Sequence, residues 1–157
     1  MAKIQIVIDT REQRPWHFPD GEVDVRRGTI GAGDYCLEGD GEFAIERKSL
    51  PDFVGTVCVE WERFQRELMR MSGVPARVVI VEGSVGQIMN GDYTHPGIKP
   101  GFVMKRVAEL TLMGVCVLFC ENNVMAAAMA WRIFWNRRRM LDELAGENRK
   151  GAVPEAG

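Results

Sequence analysis

Asp34 and Glu46 stand near the two ends of the stretch GDYCLEGDGEFAIERK, residues 33–48, with Lys48 closing it. If Gly39-Asp40-Gly41 is a three-residue hairpin loop, a length that wants a left-handed glycine, opposed residues have numbers summing to 80. Tyr35 then faces Ile45 and Leu37 faces Phe43, which puts four apolar side chains on one side of the sheet. The other side carries Asp34 opposite Glu46 and Glu38 opposite Glu42, with Lys48 next along. Directly opposed side chains have Cβ atoms roughly 4.5–5.5 Å apart. Two ionised carboxylates about 4 Å apart repel by about 4 kcal/mol at an effective dielectric near ~20. A favourable cross-strand pair returns only about 0.2–1 kcal/mol. Packing therefore does not account for an ionised Asp34 facing an ionised Glu46. Splaying of both ends into solvent, a shared proton or a divalent cation would each relieve the clash.

Lys48 weighs toward the cation. It lies two residues beyond Glu46, so on a strand it emerges from the same face. Oxygen ligands without a neighbouring histidine or cysteine favour Mg²⁺ or Mn²⁺ over zinc. An acid on one strand and acid-x-Lys on the next is the layout that metal-dependent phosphodiester hydrolysis uses. The carboxylates hold a cation against the phosphate, and the ammonium orients the attacking water or offsets developing charge. The chain contains its own control: GDY recurs at 91–93, but THPGIKPGFVMK follows, with no acid before Glu109.

The elements that must position these groups are legible in outline. KIQIVID (3–9) has the length and apolarity of a buried strand, residues 11–21 form a loop, and the alternation of Val23 and Val25 with charges marks a short strand at 22–27. After the hairpin, Ser49 and Pro51 open a helix whose end Gly73 marks, with Phe64, Leu68 and Met71 at helical spacing. Val57 and Cys58 fit either one long helix or the side of a break. RVVIVEG (77–83) is a buried strand, 84–89 a helical turn and NGDYTHPGIKPG a loop. A helix over 102–113 stops at Gly114, VCVLFC is a strand, and a long helix over 123–145 ends at Gly146, leaving 146–157 as a disordered tail. Strands alternating with helices after an N-terminal meander predict one three-layer α/β domain over 1–145, with a mixed sheet.

Composition narrows the function classes. The chain has 157 residues, 46% hydrophobic and 27% charged, and a net charge of −2 from 20 basic and 22 acidic groups. That balance argues against coating nucleic acid by bulk electrostatics and leaves room for a local basic face. No apolar run reaches the ~18 residues of a membrane span. Lys3 leads straight into a strand pattern, so no signal peptide and no membrane are expected, and the cytoplasm is the default. Cys36, Cys58, Cys116 and Cys120 lack CxxC spacing and read as reduced packing residues, and His17 and His95 are too few for a histidine-based nuclease site.

IDTRE (8–12), GDY (33–35) and ERKSLPD (46–52) together resemble the nuclease domain of the XPF/Hef family of structure-specific endonucleases, a variant of the PD-(D/E)xK core. The family hallmark, GD followed by ERK-x3-D, is complete in Gly33, Asp34, Glu46, Arg47, Lys48 and Asp52. The likeness continues through VVIVEGS, the THPG loop and the last strand and helix. It implies a restriction-endonuclease-like fold and an endonuclease that binds Mg²⁺ or Mn²⁺ through Asp34 and Glu46, with Asp9 contributing directly or through water. It further implies Lys48 as the catalytic lysine, with Arg47 beside it anchoring structure or reaching phosphate. Glu12 and Asp52 are second-tier acids, Asp52 fitting a helix first turn equally well. The expected substrate is branched, flapped or forked DNA in repair, recombination or replication.

Arg11, Arg63 and Lys105 are candidate DNA contacts, with solvated surface charge as the even alternative. Arg137, Arg138 and Arg139 form an arginine cluster open to the same two readings. Trp16 stacks on an unpaired base or, more simply, anchors its loop. Trp131, Phe134 and Trp135 do not fit one core stripe, and relatives dimerise here, so a homodimer through 123–145 is expected. Few residues follow Leu144, so the tandem helix-hairpin-helix module usual in relatives is expected to be missing; a lone domain suits a phage or bacterial accessory nuclease. Two rivals remain: a restriction-type endonuclease on the same core, and a non-catalytic junction-binding module.

Overall fold

The chain, described here from a computed structural model over residues 2–70 and 76–151, forms a six-stranded sheet between two layers of helices. The strands are β1 (Ile4–Asp9), β2 (Val23–Gly28), β3 (Tyr35–Leu37), β4 (Phe43–Ser49), β5 (Ala76–Glu82) and β6 (Cys116–Cys120), in the order β2-β1-β3-β4-β5-β6. The helices are α1 (Leu50–Val54), α2 (Trp61–Arg70), α3 (Val85–Asn90), α4 (Pro100–Leu112) and α5 (Asn123–Gly151), with a π-helical segment, Gly55–Val59, between α1 and α2. The expected three-layer mixed-sheet fold is the one found.

Alternation divides the sheet into two faces. Ile4, Ile6 and Ile8 of β1, Tyr35 and Leu37 of β3, Phe43 and Ile45 of β4, and Val78 and Ile80 of β5 pack under α5. Val79 and Val81 point the other way, into a second core with Leu50, Phe53, Val57, Ile88, Val103 and Leu110. The apolar face of the hairpin is therefore the α5 side, and Glu46 and Lys48 emerge on the α1–α2 side.

Four features depart from expectation, and the open choice at Val57 and Cys58 resolves to a break. β2 runs parallel to β1, with Ile4 beside Val23 and Asp9 beside Gly28, so the N-terminal part is not a meander. The hairpin ladder reduces to the single pair Tyr35–Ile45. At Asp34 the chain slips, and its N–H donates to the carbonyl of Ile45 at 2.9 Å. The helix after Ser49 is interrupted, because Gly55–Val59 widens into a π turn and Glu60 breaks away before α2. α4 begins at Pro100, which suits the first turn because its missing N–H would be unpaired there anyway. α5 runs through Gly146 to Gly151. Met71, Gly73 and the tail from residue 152 lie outside the described residues.

Gly33 explains the slip. Its φ is +80°, and a Cβ there would stand 2.9 Å from the Ala44 Cβ and 3.1 Å from the Ile45 carbonyl. Only glycine lets the backbone approach closely enough to deliver Asp34 to β4.

Candidate active site

Three adjacent strands bring the acids together. The N–H of Asp9, at the end of β1, donates to the Asp34 carbonyl at 2.8 Å, and Asp34 in turn bonds β4 one residue before Glu46. The Asp34 carboxylate accepts the Arg47 backbone N–H at 2.8 Å. Lys48 Nζ lies 3.4 Å from Glu46 Oε1, with both side chains partly covered.

Electrostatics mark Asp34 and Glu46 as a pair held together at a cost. Burial first, and the charge of Asp34 second, push the Glu46 carboxyl above its ordinary range, against the pull of Lys48. Burial also raises Asp34, with Glu12 and Asp9 adding to it while the Arg47 N–H and Lys48 work against it. Asp9 is different. Its side chain is fully buried, and the Arg11 guanidinium holds it well below the usual carboxylate range. Its two oxygens accept from Arg11 Nε at 2.7 Å, Arg11 Nη2 at 3.3 Å, and the backbone N–H groups of Arg11 and Ile30, both at 2.9 Å. Among the described residues no cluster of three or more histidine, cysteine or acidic side chains is arranged to hold a metal. The donor set that fits a hard divalent cation is the oxygen-only pair Asp34 and Glu46, where a cation would offset both the burial of the two carboxylates and the charge Asp34 places on Glu46. Asp9 could join only if Arg11 moved.

The face of β4 carrying Glu46 and Lys48 opens on a cavity of roughly 100 Å³ lined by Thr56, Glu60, Arg63, Phe64 and Glu67. Lys48 also borders a groove shared with Asp52, Thr56 and His95. The π turn puts Thr56 and Glu60 on both openings.

Several candidates have other occupations. The Asp52 N–H donates to the Ser49 hydroxyl in the first turn of α1, and the residue lines the Lys48 groove. Arg63 pairs with Glu67 at 3.2 Å and Glu60 at 3.7 Å on the cavity rim, and Lys105 on α4 pairs with Glu109 at 3.8 Å. Arg137 grips Asp40 through two hydrogen bonds and covers Phe43, so it ties α5 to the hairpin tip. Arg138 and Arg139 pair within α5. Trp16 is buried and stacked on Tyr35, ring centroids 4.5 Å apart, which is the loop-anchor reading. Contrary to the expectation that Trp131, Phe134 and Trp135 do not fit one core stripe, Phe134 is fully buried and Trp131 and Trp135 pack beside it against the same core, because partly exposed rings at the flanks of α5 still reach it.

Arg47 turns away from Glu46 and Lys48. Its Nε donates to Glu82 Oε1 at 2.7 Å, Nη1 donates to the Arg14 carbonyl, and Glu12 lies 3.7 Å away. Glu82 was not singled out by the sequence reading. The available signal was the one acid of β5, directly after its apolar run VVIV.

A family model for the ERCC4 domain matches residues 8–130. A search of curated proteins finds no match. Among solved structures, XPF from Aeropyrum pernix in complex with DNA superposes with a TM-score of 0.67 at 18% identity, covering 87% of this chain and 66% of that one. A second structure of XPF from Aeropyrum pernix gives 0.63 at 17% identity, covering 85% and 61%. The chain thus spans a little under two thirds of the length of these structures, and the likeness is one of fold. The match over residues 8–130 takes in Asp9, Glu12 and the whole GD–ERK–D hallmark, and on it the chain belongs to the ERCC4 domain family of XPF-type nuclease domains.

Proposed function

We propose that the chain is a Mg²⁺- or Mn²⁺-dependent endonuclease that hydrolyses DNA phosphodiester bonds near a branch, flap or fork, in repair, recombination or replication. The observation that carries this reading is the pairing of Asp34 with Glu46, both raised by burial and Glu46 also by Asp34's charge, beside Lys48 on one face of the sheet. Asp34 and Glu46 would hold the cation, which when bound would polarise the phosphate and lower the pKa of an attacking water. Lys48 positions that water and offsets charge on the phosphate. Arg47 orients Asp34 through its N–H. Asp9 and Glu12 act behind them, and Asp52 flanks the groove. Arg11 and Arg63, both exposed near the carboxylates, approach the DNA backbone; Lys105 on α4, 62% exposed, extends that contact.

The assembly proposed is a homodimer. Val124, Met125 and Met129 are 72%, 51% and 40% exposed on α5, within the segment 123–145. No described helix is long and apolar enough to cross a membrane.

The test is cleavage of flap, fork, four-way-junction and linear duplex DNA with Mg²⁺, Mn²⁺ or EDTA, beside Asp34→Ala. Metal-dependent cutting near the junction that Asp34→Ala abolishes is expected. Cutting in EDTA, or full activity of the variant, would remove the assignment. Cutting of linear duplex at one sequence would favour the restriction-type reading, and binding without cutting the inert module.

A further inference from the structure

Glu82 ends β5, and the chemistry above leaves it unused. Its side chain is 17% exposed, and a single oxygen, Oε1, accepts from Arg47 Nε and from Trp16 Nε1, each at 2.7 Å. The two donors come from separate parts of the chain. Arg47 sits on β4 between Glu46 and Lys48, and Trp16 lies on the segment that leaves β1 just after Asp9. The ladder pairs Arg47 with Ile80, so Glu82 is two residues further along β5 on the same face.

Each donor is tied to the acidic face. The Trp16 ring stacks on Tyr35, the Tyr35 hydroxyl accepts the Trp16 backbone N–H at 3.0 Å, and the Arg47 guanidinium lies 5.3 Å over the indole. Tyr35 directly follows Asp34. The backbone of Arg47 supplies the N–H that Asp34 accepts. Thus one carboxylate oxygen secures both the residue between Glu46 and Lys48 and the ring packed behind Asp34.

We propose that Glu82 is a positioning residue of the active site: by holding Arg47 and Trp16 on the α5 side of the sheet, it sets the roll of β4 at Glu46-Arg47-Lys48 and the aim of the Arg47 N–H at Asp34. The guanidinium has few other places to go. Arg47 is 17% exposed, and the other carboxylate beside it is Glu12, whose charge also bears on Asp34. Without an acceptor oxygen at the reach of Glu82, Arg47 Nε and the indole N–H each lose a hydrogen bond, and the largely buried guanidinium swings toward Glu12 and moves the strand with it.

The inference draws its kinetic consequence from the nuclease reading and its structural consequence from the contacts alone. Two variants of the full chain separate reach from charge. Glu82→Gln keeps an acceptor oxygen at the same reach and loses the charge; Glu82→Asp keeps the charge and is one methylene short of both donors. On a flap substrate, Glu82→Asp is expected to lose roughly 10–100-fold in kcat, as disturbed outer partners of metal ligands do. KM for DNA is expected to hold within about twofold, because no phosphate contact changes. Glu82→Gln is expected to retain most of the activity. In metal-free protein, the Trp16 indole N–H and Arg47 Nε–H resonances, assigned with Trp16→Phe and Arg47→Lys, are expected to shift more in Glu82→Asp than in Glu82→Gln. A Glu82→Asp chain with wild-type kcat, or a Glu82→Gln chain as slow as Glu82→Asp, overturns the proposal. If the wild type cuts nothing, the nuclease reading fails on its own, and unmoved resonances in Glu82→Asp overturn the positioning role independently.

Discussion

The residue scale is governed by what burial does to like charges. Asp34 and Glu46 bind protons more tightly in the folded chain than in the unfolded one, because burial opposes their ionisation. Between the ordinary carboxylate range and their raised values, stability therefore falls as pH rises. Asp9 runs the other way: its contribution is complete above the ordinary carboxylate range and fades as pH falls through its depressed value. Thermal melts of metal-free protein should show Asp34→Asn gaining on the wild type as pH rises above the ordinary carboxylate range. The gain is roughly 2–4 °C in Tm for each 1 kcal/mol of repulsion removed. Added Mg²⁺ should raise the wild-type Tm more at pH 8 than at pH 5 and leave Asp34→Asn nearly unmoved. A wild type that gains as much Tm as the variant over that pH range would contradict the pairing. Lys48→Met should lower kcat with KM unchanged, as loss of a group acting on water or developing charge requires; a rise in KM alone would make Lys48 a binding residue.

Elements explain how much of this could be read beforehand. The faces of the hairpin were legible because Tyr35, Leu37, Phe43 and Ile45 alternate with polar residues, and all four are buried together. The slip at Asp34 was not, since it depends on how closely Gly33 approaches Ala44, which no local pattern records. A break beside Val57 and Cys58 was one of two readings, and its π form was not legible for a related reason: Gly55–Val59 buries Val57 while letting Trp61 restart a helix. The parallel pairing of β1 with β2 runs through residues 10–22 without a helix, so the usual crossover signal is missing. Arg11 folding back onto Asp9 and Arg47 turning to Glu82 are side-chain choices that spacing leaves open. Gly33→Ala should combine a collision with a left-handed backbone and cost about 1–3 kcal/mol, read by denaturant melts. It should also lose cleavage, and a variant of wild-type stability would show that the close approach is dispensable. Arg137→Ala should cost about 1–3 kcal/mol by stranding buried Asp40, and Arg137→Ala with Asp40→Ala should cost less than the two singles added.

Across the whole molecule, the two faces of the sheet divide the work. The α5 side supplies the larger aromatic core and the back-side anchor at Glu82, Arg47 and Trp16, while the α1–α2 side keeps the charged cavity open beside Glu46. The apolar surface left on α5 is where a second copy of the chain would add area. The Trp131 indole nitrogen is buried on α5 with no hydrogen-bond partner among the described residues. Met125→Glu with Met129→Glu should convert a dimer to a folded monomer in sedimentation velocity; a wild type that is monomeric at tens of micromolar would end that assembly. The account as a whole depends on two carboxylates being kept close for a cation, and anomalous diffraction from crystals grown in Mn²⁺ tests that most directly. A peak between the Asp34 and Glu46 carboxylates, absent in Asp34→Ala, is the expected result. Carboxylates turned apart with no peak, or a peak that survives unchanged in the variant, would contradict it.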